Sequence, residues 1–237
     1  MNTKYATHSM TVAQARHEAS TIFLAKVFNW MAVGLGLTGL VAYATAATGL
    51  VYTFASSPLM YVFLFAELGL VFYLSARIDT LSSTAATALF LVYSVLNGLT
   101  FSTIFIAYTM ASIAGTFLIT AGMFGAMAVY GMVTKRDLSG VGSFFFMGLV
   151  GIIIASIVNL FLRSSGLSWM ISGIGVLVFT GLTAYDVQRI KNIGEQGILE
   201  EGEVAIRKMS IIGALALYLD FINLFLMLLR FFGGSRD

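Results

Sequence analysis

Apolar runs separated by short polar connections divide the chain into seven segments: 23–47, 59–76, 85–107, 113–133, 142–162, 169–190 and 211–231. A helix needs about 20 mostly apolar residues to cross a bilayer, and each segment has close to that number. The runs are apolar on every face, as in VGIIIASIV, not alternating as barrel strands do. In lipid a helix satisfies its own backbone hydrogen bonds, so the pattern predicts seven transmembrane helices and no barrel. Residues 1–21 form a polar tail, 22–233 the membrane domain and 234–237 a short C-terminal tail. The polar N-terminal tail and the long first run speak for a retained first span, not a cleaved signal.

Composition agrees with this pattern. Hydrophobic residues make up 59% of the chain and charged residues 10%, against roughly a quarter charged in soluble domains. The formal charge of +2 and the lack of a long basic run argue against nucleic acid as a partner; the lipid bilayer is the expected one. There is no Cys, and His8 and His17 both lie in the N-terminal tail. Disulfides, thiolate metal sites and a histidine-based catalytic centre within the membrane are therefore excluded, and no cofactor is expected. The last span has no Lys, which excludes a retinal Schiff base there.

With seven spans, ten Lys and Arg side chains fall on the side of the N-terminal tail and three (Arg163, Arg230, Arg236) on the other. The excess predicts a cytoplasmic N-terminus and an outside C-terminus. The connection 191–210 holds four of the eleven acids and three glycines, Gly194, Gly197 and Gly202, and reads as a solvated loop, with a short surface helix at Ile198–Lys208 as the alternative. Glycine-rich stretches at Gly34–Leu40, Gly122–Gly131 and Gly148–Gly151 predict seams where helix backbones approach closely.

Three acids interrupt the apolar runs: Glu67, Asp186 and Asp220. A charge at a helix centre costs about 2.5–3.5 kcal/mol on insertion scales, so each should face protein or water. Asp186 precedes the end of the sixth span, and Asp220 follows the start of the seventh by about ten residues, or roughly 15 Å of helix. Both spans meet the same face of the membrane, so the two acids can touch. Arg77 closes the second span on that face and can approach Asp186; Glu67 lies nearer mid-membrane. Two carboxylates in contact titrate as one unit, and an arginine beside them favours the anion. Such a constellation serves either as a proton-sensitive latch or as a network that fixes helix packing. Asn97, Asn159 and Asn223 are expected to make hydrogen bonds between helices.

AYDVQRI (Ala184–Ile190), ALYLDFINLFLMLLRFFG (Ala216–Gly233) and FAELGLVFYLSARI (Phe65–Ile78) resemble the Bax inhibitor-1 family, also called the transmembrane Bax inhibitor motif family, and the short tail resembles bacterial members. The resemblance implies an all-α bundle of seven helices with the last one central and six around it. It also implies a pH-sensitive calcium leak through the inner membrane, with calcium ions and protons as ligands. The family's aspartate pair falls on Asp186 and Asp220, its latch arginine on Arg77 and its membrane acid on Glu67; Asn223 is a further candidate for the ion pathway. Calcium is the expected transported ion, near Asp186 and Asp220, not a resident metal.

Two other functions compete with the leak. One is an interaction protein regulating membrane proteolysis or a stress response, with a membrane protease as partner. The other is an intramembrane aspartyl protease: Tyr185-Asp186 fits its first motif, but the second, Gly-x-Gly-Asp, is replaced by Leu217-Tyr218-Leu219-Asp220. The expectation is therefore a protein that is not an enzyme.

Overall fold

The structure is a computed structural model and describes residues 3–234. Arg236, and the side chains of Lys4 and His8, lie outside the described residues. In chain order the helices are α1 (Thr3–Ala47), α2 (Leu50–Ala55), α3 (Leu59–Arg77), α4 (Ser83–Phe101), α5 (Ile104–Ala107), α6 (Met110–Val133), α7 (Ser139–Leu162), α8 (Ser165–Glu195) and α9 (Glu203–Phe232), with a 3-10 turn at Ile198–Glu200. Among the described residues, seven helical segments are long and apolar enough to cross a membrane. They coincide with the seven apolar runs to within a few residues, except where helices continue beyond the lipid.

Those continuations are the main departures from the sequence reading. α1 is 45 residues long, roughly 68 Å at helical rise, so it extends through most of the polar tail. α8 continues to Glu195 and α9 begins at Glu203, so the long acidic connection shrinks to a reversal at 196–202. Gly197 and Gly202 make that reversal with φ of 95° and 89°, values that favour glycine because it has no Cβ to clash.

α9 is the core of the bundle. In its most apolar window 67% of residues are buried, against 44% for α8 and 6% for α7. The run that looked too apolar for a surface is inside protein: Ile211, Ala214, Leu217, Tyr218 and Leu224 have no exposed surface. α1, α4, α6 and α8 pack directly around α9, whereas α3 lies against α4 and α7 against α8. The family's central last helix is present, but its main enclosure is four helices with two outriggers, not a ring of six.

Lipid tails are as apolar as Leu, so this packing relies on close fit, not on escape from water. Each expected seam has one close-approach position. A Cβ on Gly34 would strike the Phe90 ring, on Gly131 the Ala184 carbonyl oxygen at 2.4 Å, and on Gly148 the Val178 side chain. Gly36, Gly39, Gly122, Gly125 and Gly151 have open space there.

Candidate functional site

Asp186 and Asp220 meet on neighbouring helices. α8 and α9 run antiparallel through the short reversal, and their carboxyl groups come within hydrogen-bonding range of each other. Asp220 is 4% exposed, and its Oδ2 takes no hydrogen bond. Asp186 is half-buried. Both line a cleft of about 590 Å³ between α7, α8 and α9, whose walls include Tyr185, Arg189, Leu219 and Asn223. Ionised carboxylates only accept hydrogen bonds, so two in contact need a proton between them to bond.

The cation acting on Asp186 is Arg189, one helical turn away on the same helix and part of the cleft wall. Arg77 is exposed in the last turn of α3, which packs on α4 and α2, and it does not line the cleft. The spacing i, i+3 from Asp186 places Arg189 on the same helix face, nearer than Arg77 on α3. That signal was within the quoted AYDVQRI motif.

Asn223 lines the cleft one turn beyond Asp220. Its amide nitrogen donates to the Leu219 carbonyl at 2.8 Å, within its own helix. Asn97 likewise bonds back to Tyr93 O at 3.1 Å. Only Asn159 links helices, donating to Ser168 Oγ of α8 at 2.6 Å. The expectation of interhelical bonds thus holds for one of the three asparagines, because the other two find a carbonyl of their own preceding turn first.

Glu67 belongs to a separate cluster. It is buried in α3 and accepts a hydrogen bond from Thr100 Oγ1 of α4. It lies near the phenols of Tyr93 and Tyr218. Tyr218 is fully buried on α9 and shares a 2.7 Å hydrogen bond with Thr38 of α1, whose hydroxyl also donates to Ser94 O at 2.9 Å. Two residues along a helix are about 200° apart, so Tyr218 and Asp220 point to opposite sides of α9. The central helix separates a Glu67–tyrosine cluster from the aspartate pair. Sequence alone gave no signal for the Tyr218–Thr38–Ser94 chain, since it depends on which helices pack together.

Gln188, next to Arg189 on α8, pins the connection between α6 and α7. Its Oε1 accepts the Leu138 N–H and its Nε2 donates to the Arg136 carbonyl, both at 2.8 Å. This holds the 134–138 connection against α8. In the same connection Asp137 accepts the Ser139 N–H at 2.9 Å, which holds its carboxyl below the usual range. That contact is kept above the ordinary carboxylate range and is lost as pH falls through the lowered value. Gln188→Ala leaves two backbone groups without partners. It is expected to destabilise the protein by about 1–3 kcal/mol, read as a lower melting temperature in detergent.

A bundle of seven apolar helices built around a central helix with a buried acid defines a polytopic membrane protein. The chain belongs to the Bax inhibitor-1 family: the family model described as "Inhibitor of apoptosis-promoting Bax1" matches residues 21–237. It is 53% identical over 230 residues to the inner membrane protein YbhL of Escherichia coli strain K12, covering 96% of this chain and 97% of that protein. An uncharacterized protein of Deinococcus radiodurans is 51% identical over 218 residues, covering 91% of both chains. Another of Borreliella burgdorferi is 49% identical over 217 residues, covering 91% of this chain and 93% of that one. Together with the seven spans, the inner-membrane relative makes this a multi-pass inner membrane protein.

Proposed function

We propose that the protein is a pH-sensitive calcium leak of the inner membrane, controlled by the Asp186–Asp220 pair. The observation that carries this reading is the contact of two carboxyl groups in a cleft, one of them buried with an oxygen that accepts no hydrogen bond. With one proton shared, the pair ties α8 to α9. When that proton leaves, the two charges repel and present four carboxylate oxygens to a cation, with the Asn223 carbonyl oxygen nearby. Calcium takes six to eight oxygen ligands when tightly held; two acids and one amide favour passage over retention.

Arg189 supplies the counter-charge in this conformation. Arg77, the family's latch position, would engage the pair after α3 moved against α8. The excess of Lys and Arg on one face supports a cytoplasmic N-terminus, which puts the end of α8 that carries Arg189 toward the cytoplasmic side. The protein is proposed to act without catalysis.

The test is calcium flux into liposomes containing purified protein, measured across pH. Flux should rise with pH in the wild type. Asp220→Asn can bond to Asp186 without a shared proton, so its flux should be low and flat. A pH profile unchanged by this substitution would remove the pair from the mechanism.

A further inference from the structure

α1 and α6 share α8 and α9 as neighbours and do not pack closely on each other. A valley therefore runs between them. At the end near the N-terminal tail it opens into a groove of about 440 Å³ with apolar walls, Leu24 and Phe28 on α1 and Met132 and Val133 on α6. His17 and Lys191 stand at its mouth. Lys135 and Arg136 follow Val133 after Thr134 and are exposed, with the exposed Asp137 next to them. The opposing charges are few: Glu18 borders an adjoining hollow with His17, and Glu195 pairs with Lys191 at 3.5 Å. A half-buried i, i+4 pair at 3.5 Å on the helix surface is still a modest one, so the Lys191 ammonium can turn to a stronger anion. The Ser20 and Thr21 hydroxyls are already used, both donating to the His17 carbonyl oxygen.

We propose that this groove binds an anionic phospholipid, its phosphate held by Lys191 and His17 and an acyl chain lying along Leu24, Phe28 and Met132. An apolar slot of this length opening under a cationic rim matches both parts of a phospholipid, and a soluble anion would use only the rim. Basic pockets between spanning helices are recurrent headgroup sites. A separate apolar opening farther along α1 and α6 is lined by Gly39, Phe101, Phe117 and Phe225; it offers a place for a chain but no charge to select a headgroup.

The experiment is native mass spectrometry of the full chain equilibrated with equal amounts of phosphatidylglycerol and phosphatidylcholine carrying identical chains. The wild type should retain phosphatidylglycerol in preference by about fivefold or more, the effect of a basic group at a membrane surface. His17→Gln with Lys191→Gln, both surface side chains, should bring the ratio near one. Ala25→Trp, which fills the apolar wall, should lose lipid of either headgroup. Lys208→Gln should keep the preference, because the Lys208 ammonium is engaged with the Asp79 carbonyl away from the groove. Equal retention by the wild type, or a preference that survives the double substitution or disappears equally in Lys208→Gln, would overturn the site.

Discussion

Asp220→Leu is expected to melt several degrees higher than the wild type and to lose the pH response of calcium flux. Asp220 is buried with one oxygen that accepts no hydrogen bond, a defect of about 1–3 kcal/mol. In a chain of this size each kcal/mol corresponds to roughly 2–4 °C. Leucine removes the polar group, and the adjoining cleft gives the larger side chain room. The remaining Asp186 still faces Arg189 and is half-buried, so it is not stranded. Asp186→Leu should act in the opposite direction. It leaves Asp220 buried without its partner, and breaking a buried polar pair from the more exposed side costs about 3–5 kcal/mol. Thermal unfolding in detergent and flux in liposomes read both variants. A stability gain joined to a functional loss would mark Asp220 as kept for function; a lower melting temperature for Asp220→Leu would mark the pair as structural.

Gly131→Val should be the most damaging substitution among the glycines of the seams. The Cβ position lies 2.4 Å from the Ala184 carbonyl oxygen, which is backbone and cannot rotate away. α6 must then shift from α8, two residues before Asp186. Overpacking of this kind costs about 1–3 kcal/mol or more, and here it presses on α8, the helix that carries Asp186. Gly125→Val adds the same volume six residues earlier, where nothing lies within 4 Å, and should melt close to the wild type. The difference between the two, measured by detergent melting, isolates the close approach from the general effect of a β-branched residue in a helix.

The number and type of helices were readable because a membrane leaves few choices: apolar length sets the span, and the backbone must satisfy itself. The meeting of Asp186 and Asp220 was also readable, since a short reversal between consecutive helices places both acids near the same face. What could not be read was lateral arrangement. Hydropathy does not say that α3 sits outside α4, and that position is what sets Arg77 apart from the pair and gives Asp186 a nearer cation in Arg189. Nor does it say that Glu67 and Asp220 lie on opposite sides of α9. The length of α1 and the shortness of the acidic connection were not readable for a different reason: loss of apolar character marks where a spanning segment ends, not where a helix ends.

The central claim is that one proton shared by Asp186 and Asp220 controls the leak. It is tested most directly by following the carboxyl C=O infrared band of the reconstituted protein and its calcium flux through the same pH titration. The account expects the band to fade and the flux to rise with one common midpoint, and both changes to be absent in Asp220→Asn. A flux that titrates while no carboxyl band changes, or that titrates identically in Asp220→Asn, would contradict it.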